Sequence, residues 1–205
     1  MSVKLTIAIP EWLDRIFAWP VMLYRKYKYG YAFRRIYLGE GEYTILDEVD
    51  YYKYGGLNWT LGGCKKNLYA VRGIKNKDGD YEIQRLHRVI TNAPKNRVVD
   101  HQNGNGLNNR GDNLRIATKS QNKCNCRKRK NTSSRFIGVH FHKGRQMWAA
   151  RIQHHKKEIW IGYFKIEIDA ARAYDRAAIK YHEDFARLNF PIEDYADELQ
   201  SANSK

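Results

Sequence analysis

The apolar residues change period several times along the chain, and each change marks a different kind of element. Ile9, Trp12, Leu13, Ile16 and Phe17 recur at helical spacing, which predicts a short helix over residues 9–24, opened by Pro10 and ended by Pro20. A tyrosine- and arginine-rich stretch follows at 24–37, where core packing and surface solubility account for the composition as well as contact with a partner does. From Ile36 to about Ile90 short apolar runs are broken by Gly and Asn turns. They predict strands at 43–46, 58–61, 68–73 and 81–90, with a hairpin turn at Lys77-Asp78-Gly79-Asp80 between the last two. Val98 and Val99 open another strand that runs into a Gly- and Asn-rich loop, and the chain returns as a strand at 114–117. Thr118 and Gln121 then stand at capping-box spacing and start a helix. Beyond residue 134, strand-like runs at 137–141, 147–153 and 158–164 are separated by turns at Gly144 and 154–157. Helical spacing takes over at Ile168, Ala171, Ala173 or Tyr174, Ala177, Ala178 and Tyr181.

The expected class is α+β: a β-rich lead-in, a strand–loop–strand–helix unit, then three antiparallel strands packed on one helix. The expected divisions are a helical extension at 1–33, a lead-in and strand–loop–strand–helix domain at 34–126 with its core at 87–126, a basic linker at 127–134, a sheet domain at 135–191 and an acidic tail at 192–205.

Charge narrows the partner. Lys and Arg number 37 against 22 Asp and Glu, a formal net charge of +15, which suits an anionic polymer or an anionic membrane. A spanning helix is excluded by length: the uncharged apolar stretch near the N-terminus runs only from Ile16 to Tyr24, short of the ~20 residues required. Glu11 and Asp14 interrupt the early apolar residues, so no signal peptide is expected. Three cysteines, Cys64, Cys124 and Cys126, make no disulfide framework and point to a reducing compartment. Between Asp112 and Glu158 there is no acidic residue, while Arg115, Lys119, Lys123, Arg127, Lys128, Arg129, Lys130, Arg135, Lys143, Arg145, Arg151, Lys156 and Lys157 fill the window. A solvated surface normally mixes signs; this one does not, and nucleic acid is the favoured partner. The run from Arg127 to Lys130 is expected to lie along DNA.

The candidate chemistry sits at Asp100-His101, with Asn113 beyond the loop and Asn122 in the first turns of the capped helix. Singly, a loop histidine or an Asn-Gly repeat is an ordinary surface feature; together and in this order they resemble the HNH, or ββα-metal, nuclease family. The resemblance implies His101 as general base, Asp100 and Asn122 as ligands of one divalent metal, and Asn113 as the brace of the loop. The residue types suit the reaction. In-line cleavage of a phosphodiester needs a base on one side of phosphorus and a cation on the other, and adjacent strand residues project to opposite faces. An imidazole of ordinary pKa ~6.5 is largely neutral at working pH, and oxygen ligands favour Mg²⁺ or Mn²⁺ over zinc. His87-Arg88 also matches a family feature, without an assigned role. Cys124 and Cys126 form one close pair where a zinc site needs two.

Residues 135–191 resemble the Apetala/ethylene-response-factor DNA-binding domain. The resemblance is carried by Phe136-Ile137-Gly138-Val139, Trp148-Ala149-Ala150-Arg151-Ile152, Trp160-Ile161-Gly162-Tyr163-Phe164, Ala170-Ala171-Arg172-Ala173-Tyr174-Asp175 and Arg187-Leu188-Asn189-Phe190-Pro191. It implies a sheet that enters the major groove with a helix behind it. Strand alternation independently puts Trp148, Ala150, Ile152, Ile159, Ile161 and Tyr163 in the core under Ala171, Tyr174 and Ala178. His140, His142, Arg151, Gln153, Lys156 and Trp160 fall on the opposite, DNA-reading side, with Lys143 and Arg145 in the adjoining turn. Ile137, His140 and His142 stand where the plant domains usually carry Arg, so the plant target does not carry over. Residues 34–90 resemble the lead-in of phage and bacterial proteins that join these two domains. The expectation is a homing-type endonuclease acting on double-stranded DNA in a bacterial or phage-infected cytoplasm, at the nucleoid, as a monomer or weak homodimer without membrane attachment. The alternative is a non-catalytic DNA-binding transcription regulator that retains a nuclease scaffold.

Overall fold

The computed structural model describes residues 10–64, 67–76, 79–125 and 132–203. Arg127, Lys128, Arg129 and Lys130 lie outside them, as do Cys126 and the first half of the expected hairpin turn, Lys77 and Asp78. Among the described residues no helix is long and apolar enough to cross a membrane. The fold is α+β and divides into two compact units, residues 1–94 with 105–116 and residues 95–104 with 117–205.

The first unit opens with α1 (Glu11–Tyr29), which passes through Pro20 and closes at Gly30 with φ 81°. The expected stop at Pro20 does not occur. A proline removes one interior hydrogen bond, but this helix is held on both sides of it: Asp14 accepts from Arg34 and Tyr52, and Arg25 donates to the Phe33 carbonyl. Burial pushes the Asp14 carboxyl up, yet the hydrogen bonds from Tyr52 and Arg34 and the Arg34 charge leave it below its ordinary value. Strands β1 (Arg34–Gly39) and β2 (Glu42–Leu46) pair as a hairpin. Helix α2 (Glu48–Tyr54), not expected from the spacing, turns Tyr51 and Tyr54 onto the core formed by Ile36, Leu38, Leu46, Trp59, Ala70 and Leu86. Strands β3 (Thr60–Cys64), β4 (Asn67–Lys75) and β5 (Tyr81–Arg85) form an antiparallel sheet in that order. The strand expected to run to residue 90 stops at Arg85, and α3 (Leu86–Thr91) follows. Leu86, Val89 and Ile90 are spaced by three and four, so one helical turn packs all three against the core.

Strand β6 (Val98–His101) belongs to the second unit, and β7 (Leu114–Ala117) leaves the first unit only at its last residue. Helix α4 (Lys119–Cys124) starts from Thr118 with the expected capping box, the Thr118 hydroxyl accepting from the Gln121 amide and the Gln121 side chain accepting from the Thr118 amide. Strands β8 (Val139–His142), β9 (Met147–His154) and β10 (Lys157–Phe164) form an antiparallel sheet with β9 central. Behind it lies α5 (Glu167–His182), whose Ala170, Ala171, Tyr174 and Ala178 pack on Val139, Ala150 and Ile152. The last element among the described residues is α6 (Ala196–Asn203).

Two local features explain the motif residues. Gly138 has φ +74°, and a Cβ there would fall within 1.9 Å of the Tyr174 ring, so only glycine lets the helix approach. Asp175, fully buried on α5, accepts from the backbone amides of Asn189 and Phe190, from the Asn189 side chain and from the Tyr195 hydroxyl. Asn189 in turn accepts from the Ile137 amide at 2.6 Å, so one carboxylate fastens the segment after α5 to the residues that lead into β8. Ser134, expected in the linker, is buried and donates to Glu167 at 2.7 Å.

Candidate active site and nucleic-acid interface

In the first unit the second half of the Asn-rich loop is stitched to the β1–β2 hairpin. Ile45 donates its amide to the Leu107 carbonyl at 2.9 Å, and Asn109 donates its own to the Ile45 carbonyl at 2.7 Å. The fully buried Asn109 side chain donates to the Thr44 hydroxyl, which donates onward to the Leu107 carbonyl. Asp47 accepts from the Gly111 amide at 2.7 Å and lies 3.4 Å from the Arg110 guanidinium, which stacks on Tyr31. At Gly106 a Cβ would meet the Leu68 carbonyl at 2.3 Å, so the loop passes against β4 at a distance only glycine permits. Within this frame Asn113 is buried and donates to the Asn108 carbonyl at 2.7 Å, closing the loop on itself.

In the second unit Asp100 and His101 end β6, both buried. Asn125, at the C-terminal end of α4, reaches this strand end. Its amide donates to Asp100 Oδ1 and Oδ2 at 3.0 and 3.2 Å, and lies 3.0 and 3.2 Å from the His101 and Gln102 carbonyls. Asn122, the expected partner of Asp100, is exposed on the same helix three residues earlier. Spacing alone does not separate the two, because residues three apart share a helix face; burial does. Arg187, beyond α5, reaches the Asn125 carbonyl at 3.5 Å and so joins the helix end to the sheet domain's last segment. His87 is buried with its ring edge-to-face against Tyr69.

The outer face of the sheet gathers most of the residues expected to meet DNA. Pairing places His140 opposite Ala149, His142 opposite Met147, Arg151 opposite Trp160 and Gln153 opposite Glu158. Arg145 stacks on Tyr163 at 4.7 Å, while Lys143 and Lys156 are exposed in the two turns. Tyr163, expected in the core, joins this outer face instead, against Trp160 and His142. A bulge between Trp160 and Gly162 inserts one residue and reverses the alternation, so Phe164 takes the core place. Glu158 pairs with Arg151 at 3.0 Å and holds that guanidinium over the face. Burial, then Arg151 and His142, lower the His140 pKa, opposed by Glu158.

Residues 85–124 match the family model for HNH endonucleases. That segment holds Asp100, His101, Asn113 and Asn122 and stops one residue short of Asn125. The chain is also similar to APETALA2-like protein 2 of rice (Oryza sativa subsp. indica), 41% identical over 68 residues, which is 33% of this chain and 16% of that protein. It is similar to the AP2-like ethylene-responsive transcription factor TOE2 of Arabidopsis thaliana, 42% over 72 residues, 35% of this chain and 15% of that protein. Protein 3.8 of Escherichia phage T7 is 34% identical over 77 residues, covering 35% of this chain and 64% of the phage protein. The chain therefore spans a small part of the plant relatives and less than two thirds of the phage one.

Proposed function

We propose that the chain is a metal-dependent DNA endonuclease that grips duplex DNA with the outer face of its C-terminal sheet and hydrolyses a phosphodiester. One observation carries the reading: Asp100 and His101 are buried side by side at a strand end, clamped by Asn125, inside a segment that matches the HNH endonuclease model. His101 is the general base that takes the proton of the attacking water. Asn113 keeps the loop closed through its bond to Asn108, and Asn125 positions the strand end without touching substrate.

The donor chemistry fits a hard divalent cation, Mg²⁺ or Mn²⁺. Asp100 supplies a carboxylate and Asn122 an exposed amide oxygen, while no group of three His, Cys, Asp or Glu able to hold an ion occurs among the described residues. Few protein ligands suit an ion that keeps water and takes substrate phosphate. When bound, such an ion supplies charge stabilisation at the leaving oxygen.

His140, His142, Arg145, Arg151, Gln153 and Trp160 form the reading face, joined by Tyr163, with Lys143 and Lys156 at its turns; the basic run Arg127, Lys128, Arg129 and Lys130, outside the described residues, adds charge for the DNA phosphates. The likeness to plant proteins named as transcription factors and to a phage protein supports a DNA-acting, homing-type enzyme of phage or bacterial origin working in the cytoplasm. Supercoiled plasmid incubated with Mg²⁺ or Mn²⁺ is nicked or linearised, EDTA stops it, and His101→Ala abolishes it while leaving DNA affinity intact. Undiminished cleavage by His101→Ala rejects the mechanism. The transcription-factor names also favour a second reading, DNA binding without cleavage; salt-dependent binding with no cut under any divalent metal selects it.

A further inference from the structure

The segment that follows α5 is drawn between two fixed points. Glu183 leaves the helix with φ 51°, in the left-handed region that a residue with a Cβ adopts only when its surroundings hold it there. The Ala186 amide donates to the Glu183 carbonyl at 2.9 Å and closes a turn, Glu183–Phe185, that lies against α4. At the other point the Asn189 amide is 2.9 Å from both oxygens of the Asp175 carboxylate. In between, Ala186 is extended, and Ala186 and Leu188 pack on the core formed by Ile152, Tyr174 and Ala178. Alternation turns Arg187, the residue between them, to the other side. There its guanidinium donates to the Asn125 carbonyl at 3.5 Å.

The far side of that contact is the candidate catalytic strand end. The Asn125 carbonyl stands at the end of α4, where a backbone oxygen lacks an intrahelical partner and a cation is well placed against the helix dipole. The Asn125 side-chain nitrogen lies 3.0 and 3.2 Å from the Asp100 oxygens and 3.0 and 3.2 Å from the His101 and Gln102 carbonyls. Two hydrogens are thus shared among those acceptors, and the clamp holds only while the helix end keeps its place. Asp100, His101, Asn125 and Arg187 all belong to the compact unit that contains the β8–β10 sheet, whereas Asn113 belongs to the other unit. The boundary expected after residue 126 therefore does not separate the sheet from the strand end that carries the candidate base.

We propose that Arg187 is a positioning residue for the candidate active site: through Asn125 it fixes the strand end bearing Asp100 and His101 to the DNA-reading sheet, so that the two move as one body. Arg187 acts through Asn125 and touches neither substrate nor metal. The effect on cleavage rests on the nuclease reading; the effect on the strand end does not.

Three variants of the full chain test this: Arg187→Ala, Arg187→Lys and, as a control, Arg176→Ala, which breaks an exposed ion pair with Glu198 on the same helix-and-tail segment. With supercoiled plasmid and Mg²⁺, Arg187→Ala is expected to lose roughly tenfold in kcat while KM and duplex affinity stay within about twofold of wild type. Arg187→Lys, which keeps a cationic donor, recovers most of the rate, and Arg176→Ala keeps all of it. Hydrogen exchange without DNA or metal reads the strand end directly: amides of residues 100–102 exchange faster in Arg187→Ala, while those of β9 and α5 keep their wild-type rates. Wild-type exchange at residues 100–102 in Arg187→Ala overturns the proposal. So does a kcat loss accompanied by an equal loss of affinity and a lower thermal midpoint, which would make Arg187 a support of the sheet alone. A wild-type chain that binds duplex without cutting it rejects the nuclease reading only, and the exchange rates still decide the coupling.

Discussion

Two of the surfaces that expose aromatic side chains, the outer face of the β8–β10 sheet and helix α1, differ in what surrounds the rings. On the sheet, Trp160 and Tyr163 stand among His140, His142, Arg145 and Arg151, and the other side of the same strands is packed under α5. On α1, Trp12, Trp19 and Tyr27 form a stripe with Ile16 and Leu23, while the helix is fastened by an ion pair on its polar flank. The first combination suits a polyanion with stacked or apolar bases; the second suits another apolar surface. An exposed aromatic ring by itself therefore indicates little. Its neighbours define the partner, and substitutions on one surface are expected to leave the other's behaviour unchanged.

The largest effect should come from the support of the sheet. Asp175→Ala leaves the amides of Asn189 and Phe190 and the Tyr195 hydroxyl without their shared acceptor. Loss of several buried hydrogen bonds costs about 3 kcal/mol, read as a lower midpoint in urea unfolding and, with it, lost DNA affinity. Next in size is Arg151→Glu, which reverses a charge on the reading face and places it beside Glu158. Duplex affinity at low salt should fall by roughly tenfold to a hundredfold, with the sedimentation behaviour of wild type. Equal loss of DNA binding in Trp19→Glu would break the distinction between the two surfaces.

Much of this arrangement was legible because local and tertiary signals agreed. The capping box at Thr118 and Gln121, the alternation of Trp148, Ala150 and Ile152, and the helical spacing through Tyr174 and Ala178 each have a single reading, and the structure follows them. The misses have physical causes of their own. An inserted residue at Ile161 reverses the faces beyond it, so Tyr163 moved from core to surface. Leu86, Val89 and Ile90 are as compatible with a turn of helix as with a strand end, and the core decided between them. Pro20 was tolerated because contacts distant in sequence hold both halves of α1. At the candidate centre, the spacing that put Asn122 on α4 carried no sign that Asn125, at the end of that helix, donates to Asp100; that contact is made across a long stretch of sequence.

The smallest predicted effect is also the most specific to the sheet surface. His140 has its pKa lowered, first by partial burial and then by Arg151 and His142, against the opposing pull of Glu158. Phosphate brought close favours the protonated imidazole, so DNA binding takes up a proton and affinity rises as pH falls through the window below 6.5. Folding responds in the opposite sense: a histidine whose folded pKa is lowered contributes stability above its unfolded value and loses it as pH falls through the folded one. Affinity titrations between pH 5 and 7.5 at fixed salt should therefore show a several-fold rise toward acid, flattened in His140→Gln, while the unfolding midpoint declines over the same range. A pH-independent affinity in wild type would place His140 away from the bound phosphates and narrow the reading face to Arg145, Arg151, Gln153 and Trp160.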